Sequence, residues 1–420
     1  MAGLTYRERM ISRLRNRPDF LRILLACLFF GAASGIFQAT LNNYLSDVHG
    51  LGAEARGWLE FPRELPGFLL IFVAGLMLTR LRESQMAAVA MVLSALGAVG
   101  LGYLSSGVGA VVFWIVLWSL GDHILFAVDG PLGLKLAREG GEGRCLGQLG
   151  GARNLGTIAG VGAVFLLARL RGDDFGLFYL IGGAAALGAG WFYFRLRVGR
   201  GDAPSRRLVF RREYGLFYAI SALFGVRKQI FLAFGTWVLV SLHDVPVSTI
   251  ALLYFIASTL GVVMRPLLGD VIDWLGERVV LAVDELMLLF VCLSYAFASD
   301  LLPAPWDLWW LYGAYVLDLV LFGLRVARVT YLKKIARDPA DITPSVTLGI
   351  TIDHAVAMSL PILSGYIWEA WGYRWVFLIA GAIALAGFFV CLRIRVPARP
   401  AACYPAAGEA GARVGADPVK

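Results

Sequence analysis

The sequence predicts an all-α membrane protein with twelve transmembrane helices in two pseudo-symmetric six-helix bundles. Three observations carry this prediction. Of 420 residues, 59% are hydrophobic and 16% charged, and the mean hydropathy is +0.71, outside the range of soluble globular chains. Apolar runs of bilayer-crossing length, about 20 residues, recur twelve times. The two halves of the chain also share residues at a nearly constant offset.

In chain order, spans are expected near 21–45, 57–79, 85–104, 109–134, 147–169, 174–195, 213–241, 247–268, 279–299, 307–332, 345–367 and 373–394. Residues 1–20 form a basic N-terminus with Arg7, Arg9, Arg13, Arg15 and Arg17; the apolar run from Ile23 lacks a small-residue cleavage site, which favours a retained first span over a signal peptide. The first bundle takes 21–195, a basic linker 196–212, the second bundle 213–395, and an Ala-, Pro- and Gly-rich tail 396–420 that is expected to be disordered. Lys and Arg concentrate at the ends of the spans that share a side with the N-terminus. Only Arg56, Arg169, Arg171 and Arg374 fall at the opposite ends, and Arg63, Arg227 and Lys228 lie within spans. Both termini are therefore expected in the cytoplasm, in a cell membrane of the bacterial inner-membrane type. The net charge of +8 is explained by this distribution and does not call for nucleic acid. Cys27, Cys145, Cys292, Cys391 and Cys403 have neither paired nor metal-type spacing and are expected as free thiols.

The internal repeat supports the two bundles. Phe30-Gly31 and Ile36-Phe37 of span 1 match Phe224-Gly225 and Ile230-Phe231 of span 7, and Gly75 matches Gly269 at the same offset. Gly121-Asp122-His123-Ile124-Leu125-Phe126 of span 4 matches Leu317-Asp318-Leu319-Val320-Leu321-Phe322 of span 10, and Gly150 meets Gly349. Such parallel repeats place a substrate site near mid-membrane between the halves.

After span 8 the chain reads Gly269, Asp273, Gly276 and Arg278 at Gly-x-x-x-Asp-x-x-Gly-x-Arg spacing. This resembles the gating loop of the major facilitator superfamily, found between helices 2 and 3 and echoed between helices 8 and 9. The glycines suit a tight turn, and the acid can accept from a helix N-terminus. The first-half counterpart keeps Gly75 and Arg80 but has Thr79 at the acidic position, so a latch would depend on the second copy. The resemblance implies that helices 1, 4, 7 and 10 line a central cavity and that the protein is a monomer.

Arg227 and Lys228 sit about 20 Å along span 7, too deep to reach either surface with ease. Facing lipid, the two would cost about 5–7 kcal/mol, so they must face water, a partner or a ligand. The repeat places Ala33 and Ser34 opposite them, so the positive charge belongs to one half. Asp122 and Asp318 are equivalent mid-span carboxylates, expected by resemblance to share the cavity with these cations, either coupling transport to protons or forming a static salt bridge. Asp353 and His354 lie deep in span 11 as further proton-coupling candidates, with His354 a proton relay or a structural histidine, as is His123. Gln229 and Asn154, which aligns with Asp353, complete the expected lining. Glu60, Arg63 and Glu64 read as an interfacial cluster or outer gate of span 2, and Asp284 and Glu285 as helix-end charges without assigned chemistry.

The expected function is alternating-access transport of a small anionic or zwitterionic solute, coupled to a proton. The alternatives are a proton-driven exporter of hydrophobic or cationic drugs, and a non-transporting sensor or assembly factor of the same fold. An enzyme is not expected: no nucleophile and base have useful spacing, no phosphate loop follows the Gly-x-x-x-x-Gly-Lys pattern, and no Cys/His set has metal spacing, so neither cofactor nor metal is predicted.

Overall fold

The computed structural model describes residues 17–138, 141–198, 210–338 and 341–396, without the side chains at 71, 72, 74, 75, 142, 143, 265, 266, 269, 325 and 343. Most of the basic N-terminus, the linker from 199 to 209, and the tail with Cys403 lie outside the described residues. The four remaining cysteines are free thiols, all buried.

Twelve helical spans form two bundles. The first holds α1 (Pro18–Asn43), α2 (Ala53–Phe68, continued as Leu70–Leu78), α3 (Glu83–Tyr103), α4 (Val108–Leu136), α5 (Glu142–Arg171) and α6 (Phe175–Phe194). The second holds α7 (Gly215–Ile230, a π turn Phe231–Gly235, then Thr236–Ser241), α8 and α9 within Val247–Leu301, α10 (Trp306–Leu321 with Val326–Ile335), α11 (Ile342–Trp371) and α12 (Tyr373–Cys391). Among the described residues, eleven helices are long and apolar enough to cross a membrane. The twelfth, α2, misses that measure for two reasons. It carries Arg56, Glu60, Arg63 and Glu64, and it breaks at Leu69, just after Pro66, whose missing N–H weakens the preceding turn.

The predicted loop after span 8 is shorter than the sequence suggests. Helix continues to Gly276, which alone reverses the chain at φ 77°, ψ 158°, a conformation that favours glycine. Asp273 therefore stands on the last turn of α8 rather than in a loop.

The repeat is visible as matched backbone approaches. A Cβ on Gly31 of α1 would overlap the Arg153 carbonyl of α5, and one on Gly225 of α7 would lie 2.8 Å from the Asp353 carbonyl of α11. Small residues at equivalent positions thus let α1 close on α5 and α7 on α11.

The apolar core is divided unequally along the bundle. Away from the termini, one cluster runs through both halves, from Phe37, Ile115 and Val164 to Phe231, Trp237 and Phe377. Toward the termini, each half keeps its own cluster, around Ile23, Met91 and Tyr193 in the first and Tyr214, Val280 and Tyr331 in the second. The halves are joined at one end and separately packed at the other.

Candidate functional site

The joined end is held by a seam between α2 and α11. Glycines make it close: a Cβ on Gly57 would overlap the Pro361 carbonyl, and one on Gly365 would lie 2.9 Å from the Ala53 carbonyl. The Ala53 amide donates to Glu369 Oε1 at 3.2 Å, and Trp58 Nε1 donates to the Tyr366 hydroxyl at 3.1 Å. Beside it, Asn43 at the end of α1 donates to the Val245 carbonyl at 2.9 Å.

At the deep end of this seam lies a chain of charge. Glu60, fully buried, takes Arg56 and Arg63 from its own helix, the latter at 2.6 Å, and accepts from Gln229 Nε2 of α7. One turn on, Glu64 pairs with Arg63 at 2.9 Å, with Lys228 of α7 at 3.6 Å, and with His354 Nδ1 of α11 at 2.8 Å. Lys228 lies nearer to Asp353, at 3.0 Å, in a direction that makes an ion pair without a hydrogen bond. Two carboxylates of the first half thus grip three polar side chains of the second. Their i, i+4 spacing puts both on one face of α2.

A second cluster lies wholly within the second half. Arg227 Nη1 reaches both oxygens of Asp284 on α9 at 2.6 Å, and Nη2 reaches Asp318 on α10 at 3.3 Å. All three are buried, which requires this mutual neutralisation.

The other predicted residues are spread more widely. Asp122 turns away from the cations and accepts from Ser94 Oγ of α3 at 3.1 Å; it has no ion pair among the described residues, so the expected grouping with Asp318, Arg227 and Lys228 is not seen. Asn154 lies at a different contact between the halves, donating to the Ser258 carbonyl of α8 at 3.3 Å. Asp273 and Arg278 are exposed at the terminal end, where the neighbouring Glu277 is buried against Lys334 of α10 at 2.7 Å. Gly269 is among the positions whose side chains are not described.

Two expectations are corrected. The α2 charges are not an interfacial cluster, because the helix begins at Ala53 and Glu64 lies about 17 Å along it, level with Lys228 and His354; their place in the seam is compatible with the outer-gate alternative. Asp284 is not an unassigned helix-end charge but the bidentate partner of Arg227. Four charged residues in three turns of a span were the available signal for the first. The second had none, since Asp284 and Arg227 meet only in the folded bundle.

The comparisons agree with this architecture. Residues 23–332 match the model of the Major Facilitator Superfamily. The nucleoside transporter NupG superposes with a TM-score of 0.73 at 14% identity, over 90% of this chain and 98% of that one. A D-xylose–proton symporter gives 0.68 at 15% identity, over 90% and 97%. A bacterial homologue of the human lysosomal transporter Spinster, inward-facing and occupied, gives 0.68 at 13% identity, over 90% and 96%. No curated protein matches the chain in sequence. With three-quarters of its length under the family model and the family's two six-helix bundles in its structure, the chain belongs to the Major Facilitator Superfamily, as a membrane transporter and not an enzyme.

Proposed function

We propose that the protein is a proton-coupled transporter of a small zwitterionic solute, and that the solute is exchanged at Lys228, Glu64 and Asp353. One observation carries this reading: Lys228 stands between a carboxylate of its own half and a carboxylate of the other. A zwitterion entering the longer pair gives its cation to Glu64 and its anion to Lys228, so the halves part without leaving a buried charge unmatched. An organic anion alone would need a free cation. Arg227 is already matched by two carboxylates and Lys228 by two more. Gln229, whose Oε1 is buried without a partner among the described residues, adds a neutral acceptor.

Proton coupling rests on Glu64 and His354, which share one hydrogen bond across the halves. A proton on Glu64 removes the charge that holds Lys228 and opens the same seam. Asp353 and Asp318 are secondary proton sites in this reading. With both termini cytoplasmic, as the basic loops favour, the seam closes the outside and the separately packed end faces the cytoplasm. There the turn at Gly276, with Asp273 and Arg278, acts as a gate. A monomer is sufficient, since both halves of the site come from one chain.

The second reading, export of a lipophilic cation, is favoured by Asp122, a buried carboxylate without an ion pair among the described residues. Proteoliposomes with an imposed pH gradient separate the readings. Accumulation of amino acids or betaines, abolished by a protonophore and by Glu64→Gln, is the expected result. Accumulation of organic acids only would overturn it, and lipophilic-cation transport lost in Asp122→Asn would install the alternative. Failure of every solute to move would favour the non-transporting class.

A further inference from the structure

We infer that Glu64, His123 and His354 form a site for one divalent transition-metal ion of the zinc type, bridging the two halves. A ring nitrogen of each histidine and a carboxylate oxygen of Glu64 lie within 4.8 Å of one another. Two imidazoles and a carboxylate are a zinc donor set with a fourth position open. Tetrahedral ligands at about 2.1 Å from zinc stand roughly 3.4 Å apart, so closure by about 1.5 Å or less completes the sphere.

The surrounding structure prepares the ligands. His123 Nδ1 lies 2.8 Å from the Ser119 carbonyl, which can only accept, so the proton sits on Nδ1 and the lone pair on Nε2. Metal-binding histidines are oriented by this kind of bond to the opposite nitrogen. The two rings stand with centroids 5.0 Å apart. Between them passes Gly67 of α2, where a Cβ would lie 2.5 Å from His123 Nε2 and 2.7 Å from His354 Cε1. Any larger residue would push the imidazoles apart.

Lys228 does not forbid the ion. It is 3.0 Å from Asp353 but 3.6 Å from Glu64, so a metal takes Glu64 while the ammonium keeps its nearer carboxylate. Glu64 and His123 belong to the first half and His354 to the second. Bound metal therefore ties α2 and α4 to α11 and holds the seam shut.

The inference does not depend on which solute is carried, and its test uses no solute. Untagged, purified full-length protein is titrated with zinc chloride, reading stoichiometry by calorimetry and melting temperature by intrinsic fluorescence, with magnesium chloride as the control. One zinc per chain and a melting temperature that rises with zinc but not magnesium are expected. His123→Gln and His354→Gln, on opposite halves, should each weaken binding at least tenfold. A stoichiometry near zero, or affinity unchanged in either variant while that variant still melts cooperatively, would overturn the site. If one variant fails to fold, Glu64→Gln takes its place under the same criterion.

Discussion

Arg227 and Lys228 are neighbours in one helix, yet they belong to clusters of different mechanical standing. Arg227 is bound to Asp284 and Asp318, all within the second half, so its partners move with it. Lys228 shares Glu64 with the first half, so part of its environment must change whenever the halves part. In the proposed reading the first cluster is scaffold and the second is a latch. Adjacent residues at equal depth can thus serve stability and transport separately, because what matters is whether the partner lies across the seam.

The largest effect should come from breaking the scaffold. Arg227→Met strands two buried carboxylates, and losing one partner of such a network costs about 3–5 kcal/mol. The purified variant should melt well below the parent. Adding Asp284→Asn and Asp318→Asn should restore most of the loss, since the triple replacement leaves no unmatched charge. A variant that melts like the parent but loses transport would instead return Arg227 to the solute site.

Breaking the latch should leave the fold and shift the conformation. Glu64→Gln keeps a polar group but weakens the charge-assisted hydrogen bond to His354, worth about 1.5–3 kcal/mol, and removes the longer ion pair to Lys228. The closed population should fall by roughly tenfold or more. A cysteine at Ala53, which is buried in the seam, reports this as faster maleimide labelling in a protein with Cys403 replaced, since the native thiols among the described residues are buried. Unchanged labelling would mean that the glycine packing alone holds the seam.

These two expectations also mark what was legible in the sequence. Span length and apolarity are local properties, so the twelve helices could be read directly, and the repeat showed that span 4 answers to span 10. The repeat also made Asp122 and Asp318 equivalent in position, and here chemistry diverges from symmetry. Asp318 finds Arg227, but Ala33 stands at the equivalent place in α1, so Asp122 has no cation there and turns to Ser94. The partnership of Glu64 with His354 spans 290 positions, and no local pattern announces it. Each histidine read alone was a structural group or a proton relay, and nothing in the spacing marked either as a metal ligand.

Glycine contacts offer a third comparison, within a half and between halves. Gly31→Ala drives a methyl into the Arg153 carbonyl of the same bundle, and Gly57→Ala drives one into the Pro361 carbonyl of the other. Overpacking of this kind costs about 1–3 kcal/mol. In the first case nothing can yield without distorting the bundle, so the melting temperature should fall by several degrees. In the second the halves can separate, so labelling at Ala53→Cys should rise while the melting temperature changes less. Equal effects on both readouts would show that the seam is as rigid as the bundles.

The smallest effect tests whether depth matters along the seam itself. Trp58 and Tyr366 bridge the same two helices as Glu64 and His354, but at an exposed position. Trp58→Phe removes one neutral hydrogen bond, worth about 0.5–1.5 kcal/mol and toward the low end where water can replace it. Labelling at Ala53→Cys should therefore change by no more than about fivefold, less than with Glu64→Gln. If the two variants open the seam equally, the hold lies at its rim and the buried carboxylates are passengers. If Trp58→Phe is nearly silent while Glu64→Gln is not, the charge at the deep end governs closure, and the solute or proton that reaches Glu64 controls the movement.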